Sequence, residues 1–183
     1  MEYKLIRSKR KTISLELLPD ASLLVRAPFY APKRDIDEFV ESKQRWIYRH
    51  RKRMSENAER AVEEGHLTNS DINNLADKAL KDIPERVRNY APLIGVTYGR
   101  ITIRNQKMRW GSCSAKGNLN FNCLLMLCPE EIRDYVVVHE LCHRIEMNHS
   151  KRFWALVESV LPDYKERRKW LKENGGSVMG RML

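Results

Sequence analysis

The first quarter of the chain alternates apolar and polar residues, as strands do. Ile13, Leu15 and Leu17 are separated by single residues, and a second apolar run, Leu23 to Val25, follows a Pro-Asp turn signal. A period of two places every second side chain on one face of a sheet. Two or three antiparallel strands are therefore predicted here.

Helical spacing replaces this alternation after Pro32. Apolar residues from Ile36 to Ile47 recur at roughly helical steps and lead into the basic run Arg49 to Arg53. The pattern predicts one long helix with a strongly basic end. Residues 55–67 are polar and acidic enough to form a linker.

The next segment changes from helical to strand-like spacing. Thr68 to Ser70 offer N-caps for a helix whose apolar residues, from Ile72 to Val87, lie on one side. Strand candidates follow at residues 96–104, 108–113 and 119–127. We expect a small antiparallel sheet from these three segments.

Three helices are predicted in the last third of the chain. Proline suits the first turn of a helix, so we expect a helix that begins at Pro129 and ends at Glu146 or Met147. Two more cover about residues 151–161 and 163–173, and Gly175 with Gly176 would stop the last one.

The whole pattern predicts an α+β protein with one main core. A chain of 183 residues, 42% of them hydrophobic, suffices for one core with a small attached module. We expect an N-terminal module of strands and a basic helix over residues 1–55, and the main domain over residues 68–183.

Composition limits the cellular setting and the partners. The apolar runs are too short to span a bilayer and the N-terminus lacks a signal-peptide pattern, so we expect no membrane partner and a cytoplasmic location. The four cysteines form no Cys-x-x-Cys pair, which predicts reduced and mostly buried thiols. The net charge of +10 favours an anionic partner such as nucleic acid or another polyanion.

One short motif carries candidate chemistry. His139 and His143 are four residues apart, so they share a helix face and can reach one metal ion, with Glu140 beside them. In such sites a third ligand leaves one position for water, the metal lowers the pKa of that water, and the glutamate takes its proton. His149 is the natural third ligand, since Asn148 tolerates the left-handed conformation that could end the helix.

Other residues near the motif have competing interpretations. Ser150 could cap the helix that follows. Cys142 could ligate a metal, although a thiol packed in the core is the favoured interpretation. Glu146 lies on the ligand stripe and could hydrogen bond to a ligand, compete as third ligand or simply face solvent.

Several segments together resemble the YgjP-like zinc metallopeptidases. The resemblance also extends to the N-terminal half and covers nearly the whole chain. The segments in the second half are Arg109 to Cys113, Asn120 to Leu125, Tyr135 to His143 and Asn148 to Trp154.

This resemblance implies a minimal zincin-like core with Zn2+ as cofactor. It implies that His139, His143 and His149 bind the metal, that Glu140 is the catalytic acid/base, and that the substrate is a peptide or protein. The family is more distantly related to SprT-like and WLM-type proteases, which act on proteins bound to DNA.

Two further regions are candidates for binding a substrate or a partner. The strand from Arg109 to Cys113 is expected to lie over the active-site helix and to pair with an extended peptide, so that Arg109 could bind a substrate carboxylate or neutralise an oxyanion. Trp110 is expected to pack. The basic run from Arg49 to Arg53 could bind nucleic acid or form a solvated helix end.

The favoured function is therefore a zinc-dependent peptidase with Glu140 as general base. One alternative is a metal-dependent hydrolase of a nucleotide or other phosphate substrate, which the positive charge and an open metal site would suit. Another is a nucleic-acid-associated protein with structural zinc, which would need a closed coordination sphere. Imidazole also suits nickel, copper and iron.

Overall fold

The chain is an α+β protein, as predicted. The computed structural model describes residues 2–182, which form six α-helices and six short strands. The chain divides into two compact units, residues 1–59 and residues 60–183. Every candidate metal ligand belongs to the second unit.

The first unit contains a three-stranded sheet together with helical residues. Its strands are β1 (Lys4–Ser8), β2 (Ser14–Leu17) and β3 (Leu23–Pro28), with β3 in the centre. β2 is antiparallel to β3, but β1 is parallel to it, so the prediction of purely antiparallel strands was wrong. The tight turn between β2 and β3 fixes their antiparallel pairing, and β1 takes the other edge of β3.

Two helices replace the single long helix that was predicted before residue 55. The first, α1 (Lys33–Ser42), ends at Lys43, whose N–H donates to the Val40 carbonyl at 3.0 Å, and α2 (Gln44–Glu63) then begins. The basic run therefore lies inside α2 and not at a helix end. The predicted linker was also wrong, because α2 continues to Glu63 and buries Ala61.

The second unit begins with α3 (Asn69–Ile94), whose start confirms the cap prediction. The Asp71 N–H donates to the Thr68 hydroxyl at 3.2 Å, and the Thr68 N–H donates to the Asp71 carboxylate at 2.9 Å. This reciprocal pair satisfies two N–H groups that the helix leaves free. Gly95, with a φ of 75°, ends the helix.

A second small sheet follows α3, in the order β4-β6-β5. Its strands are β4 (Ile101–Arg104), β5 (Gly111–Cys113) and β6 (Leu119–Asn122), all shorter than predicted. β5 and β6 form an antiparallel hairpin, whereas β4 is parallel to β6, so this sheet is also mixed. The outer edge of β5 is not paired within the sheet.

Asn122 ends β6 earlier than predicted. Its carboxamide oxygen accepts from the Leu124 N–H at 3.1 Å, and its nitrogen donates to the carbonyls of Gln106 (2.6 Å) and Arg109 (2.9 Å). The chain then forms a 3₁₀ helix, Cys123–Leu127, in place of further strand. A run of buried apolar residues has no periodicity that separates these two structures.

Three helices complete the unit: α4 (Glu130–Cys142), α5 (Lys151–Val160) and α6 (Tyr164–Gly180). α4 ends four or five residues before its predicted end. α6 instead runs through Gly175 and Gly176, so the prediction that these glycines stop it was wrong. Gly175 is buried, and a Cβ there would lie 3.1 Å from Cζ2 of Trp110. Close packing accounts for this glycine.

α4 is the central helix of the unit and is buried along most of its surface. It packs against α3, α5, α6 and β5, and Val137, Val138 and Leu141 are completely buried. The four cysteines are free, and Cys123, Cys128 and Cys142 are buried, as predicted. Among residues 2–182, no helix combines the length and apolar character needed to cross a membrane.

A charged network joins α3 to the first half of α4. Arg86 donates to Asp82 at 2.7 Å and to Asp134 at 2.6 Å, with side chains only 15–24% exposed, and Arg133 lies 3.2 Å from Asp82. Burial opposes ionisation of Asp82, but the hydrogen bond and charge of Arg86, with Arg133, hold its pKa below the usual value. The network fixes α4 on α3.

We therefore expect Arg86→Met to destabilise the fold by about 2–3 kcal/mol, because it leaves partly buried carboxylates without their cation. Urea unfolding monitored by circular dichroism measures the change. Arg88→Met on the exposed side of α3 is the control and should change stability by less than about 0.5 kcal/mol. Equal effects of the two variants would contradict this role for the network.

Candidate metal centre and active site

The last turns of α4 present two imidazoles on one face. His139 and His143 are one helical turn apart, and their ring centroids are separated by 4.9 Å. Nδ1 of His143 lies 3.0 Å from the Glu146 carbonyl, which accepts a hydrogen bond when this nitrogen carries the proton. That hydrogen bond leaves Nε2 of His143 free to bind a metal.

The chain returns His149 to the same face after α4 ends. α4 stops at Cys142, and residues 143–145 form a turn. Asn148 is not left-handed, since Ala21 alone among the described non-glycine residues has a positive φ, so that part of the prediction was wrong. Ser150 caps α5 as predicted, because its hydroxyl accepts from the Phe153 N–H at 3.3 Å.

The three imidazoles converge on one point. One nitrogen from each of His139, His143 and His149 lies within 4.8 Å of the others, and the Nε2 atoms of His139 and His149 are 3.0 Å apart. A tetrahedral zinc with Zn–N bonds of about 2.0–2.1 Å holds its nitrogens about 3.3–3.4 Å apart. The three nitrogens therefore suit one zinc ion, with the longer separations closing by up to about 1.5 Å. Ligation by these residues stays a prediction.

Two aromatic residues of α5 support the histidines. Phe153 is completely buried, and its ring centroid lies 4.8, 4.6 and 4.8 Å from those of His139, His143 and His149. Trp154 stacks on His149 with a centroid distance of 5.6 Å. These contacts fix the positions of the three rings relative to one another.

Burial also keeps His139 neutral. It lowers the pKa of His139 to about 3, with the charges of His143, His149 and Arg168 acting in the same direction. Nδ1 of His139 is buried and has no hydrogen-bond partner among residues 2–182. A neutral imidazole is the form that binds metals.

Glu140 lies beside the histidines and against strand β5. It is 6% exposed, and a Cβ at Gly111 would lie 2.7 Å from its Cγ and 2.8 Å from Oε1. Burial raises the pKa of Glu140 to about 8, while the positive charge of Arg109 opposes the rise. A cation among the imidazoles would further favour the ionised carboxylate.

A cavity of about 260 Å³ opens next to Glu140 and His139. Arg109, Gly111 and Leu171 of α6 also line it. The structure thus brings together His139, Glu140 and Arg109, as the sequence predicted, next to a space that could receive a ligand.

The remaining candidates near the motif have simpler roles. Cys142 is completely buried, and burial raises the pKa of its thiol to about 12, as expected of a packed thiol. Glu146 is outside the histidine cluster, and its main-chain carbonyl lies 3.0 Å from Nδ1 of His143. Trp110 packs against Gly175, and it also lines the cavity.

Sequence reasoning assigned no role at the site to Phe153, Tyr135, Leu171 or Arg168. Tyr135 lines the cavity, and its position one turn before His139 was an available signal. Leu171 carries no motif that distinguishes it from a core residue. Arg168 lies over the Trp154 ring at 4.4 Å, and only the folded arrangement of α5 and α6 brings its charge to the histidines.

Comparison with known proteins gives one family. A family model described as "YgjP-like, metallopeptidase domain" matches residues 11–71 and 66–174. No curated protein matches this chain.

Two solved structures are similar to half of this chain. The metallopeptidase zymogen of Pyrococcus abyssi abylysin is 27% identical with a TM-score of 0.45, and the match covers 50% of this chain and 97% of that one. The metallopeptidase zymogen of Methanocaldococcus jannaschii jannalysin is 22% identical with a TM-score of 0.45, and the match covers 50% and 94%.

We expect His149→Ala to weaken zinc binding by at least about 100-fold, because a three-imidazole site loses one ligand. Competition with a chromogenic chelator measures the affinity. His66→Ala removes an exposed histidine far from the motif in sequence and should leave the affinity unchanged. Unaltered zinc binding by His149→Ala would remove this residue from the ligand set.

Proposed function

This chain belongs to the YgjP-like metallopeptidase family, and from that membership we propose that it is a zinc-dependent peptidase. In the proposed site His139, His143 and His149 hold the metal, and Glu140 is the general base. The substrate is a peptide or protein.

One observation carries the proposal: three imidazoles converge next to a carboxyl group that faces an open strand edge. His139 and His149 approach each other to 3.0 Å through nitrogens that are both able to ligate. Glu140 is close enough to Gly111 of β5 that no side chain fits between them. The proposed metal ligands, the proposed base and the outer edge of β5 therefore adjoin one another.

A zinc ion bound there supplies Lewis-acid chemistry, because it polarises a substrate carbonyl and lowers the pKa of a coordinated water. Glu140 takes a proton from the water that attacks the amide carbon. The same carboxyl group then gives a proton to the departing amine nitrogen. Its burial keeps bulk water away from these transfers.

Strand β5 provides the means to align an extended substrate. Its outer edge offers main-chain N–H and C=O groups from Gly111 to Cys113, and an added peptide strand would satisfy them. The exposed guanidinium of Arg109, at the start of this edge, remains our candidate for binding a substrate carboxylate or stabilising negative charge.

The other functions considered from the sequence have less support. Family membership favours peptide bonds over phosphate esters as the substrate. The basic run in α2 remains a prediction of a polyanion-binding surface. Elemental analysis of purified protein would distinguish zinc from nickel, copper and iron.

We expect Glu140→Gln to lower kcat/KM for an unfolded protein substrate by about 10²–10⁴-fold while zinc content is retained, because the amide cannot accept the proton. Cleavage assays and elemental analysis measure the two properties. Glu146→Gln, a nearby change outside the ligand cluster, is the matched control. Retained zinc with unchanged cleavage in Glu140→Gln would disprove the mechanism.

We expect Gly111→Ala to lower kcat by about 10–100-fold, since the new methyl group must displace the Glu140 carboxylate. Zinc affinity should stay at the wild-type level because no ligand moves. Gly176→Ala, at an exposed position of α6, tests for a general effect of adding a methyl group. A fully active Gly111→Ala enzyme would mean that the Glu140 position is not critical.

A further inference from the structure

The cavity beside Glu140 has an apolar wall built from three elements. Residues just before β5, residues in the middle of α4 and a residue of α6 each contribute side chains to this wall. The apolar lining residues are Met108, Trp110, Tyr135, Val136 and Leu171. A volume of about 260 Å³ is below the roughly 300–1,000 Å³ of pockets that enclose whole small ligands, so the space suits one side chain.

The position of the cavity determines which group can enter it. Gly111 and Glu140 both line it, so it lies where the free edge of β5 meets the proposed base. Side chains of a peptide paired with β5 alternate between its two faces. A residue that flanks the bond beside Glu140 can therefore place its side chain in the cavity.

We propose that this cavity selects peptides with a large apolar side chain next to the cleaved bond, and that Gly175 sets its shape through Trp110. This inference rests on the proposed peptidase function. It names the substrate class of that same site.

The α6 wall of the cavity explains how Gly175 sets the shape of the cavity through Trp110. Leu171 and Gly175 are one turn apart and share a face of α6. The absence of a side chain at Gly175 lets the indole of Trp110 lie against the helix, where a Cβ would be 3.1 Å from Cζ2 and 3.3 Å from Nε1. Carbon atoms prefer about 3.5–4.0 Å, so a methyl group there must push the indole away.

The test uses the zinc-loaded full chain and a parent peptide that it cleaves at one mapped bond. Each residue flanking that bond is changed in turn among Phe, Leu and Ala. We expect kcat/KM to be about 10–100-fold higher with Phe or Leu than with Ala at one of the two positions. The Glu140→Gln protein should bind the Phe and Leu peptides more tightly than the Ala peptide, and fluorescence anisotropy measures these affinities.

Variants of α6 link this preference to the cavity. Leu171→Trp fills the cavity and should lower kcat/KM for the Phe peptide by at least about 10-fold more than for the Ala peptide. Gly175→Ala moves Trp110 and should lower the Phe-to-Ala ratio by at least about threefold. Lys172→Trp and Gly176→Ala, at exposed neighbouring positions, should leave the ratio at its wild-type value.

The outcomes separate this inference from the function on which it rests. Cleavage without any preference, or a preference that Leu171→Trp and Gly175→Ala leave unaltered, overturns the inference and leaves the peptidase function intact. Failure of the zinc-loaded wild-type protein to cleave any peptide in the preceding search for that parent peptide overturns both. The expected preference, with its loss in these two variants alone, supports the inference.

Discussion

The packing of one buried phenylalanine against three imidazoles is the constraint on which the candidate metal centre depends. A helix alone brings His139 and His143 together, but His149 belongs to a different part of the backbone and must be held by tertiary contacts. Phe153 lies within 4.8 Å of all three ring centroids and is completely buried. Because Ser150 caps α5 three residues before Phe153, the same cap positions both the phenylalanine and the neighbouring His149.

The sequence predicted those parts of the site that follow from local geometry. Four-residue spacing is enough to place His139 and His143 together, and a capping residue such as Ser150 is recognisable without a structure. The path of the chain from α4 to His149 was not predictable in the same way. The helix ends at Cys142 and continues as a turn, whereas propensity alone would extend it for another turn.

The incorrect predictions of the fold share one physical cause, which is packing between segments distant in sequence. Two adjacent glycines normally end a helix, but Gly175 is needed for the approach of Trp110, and α6 continues past it. Asn122 ends β6 because its amide group binds carbonyls of residues 106 and 109, a contact between segments distant in sequence. Parallel pairing of β1 and β4 likewise depends on which sheet edge is free. Periodicity contains no information about any of these partners.

The two halves of α4 differ in how far their charged and polar groups are paired. The first half is tied to α3 by the ion pairs of Arg86 and Asp134, which are satisfied at distances typical of strong charged hydrogen bonds. The second half carries His139 and Glu140, where burial works against a stable charge and one imidazole nitrogen has no partner in the described chain. Such unsatisfied groups cost stability, and they persist only where the surrounding packing holds them. The first half of α4 and the Phe153 contacts of its second half provide that support, so His139 and Glu140, the proposed ligand and the proposed base, are held in place.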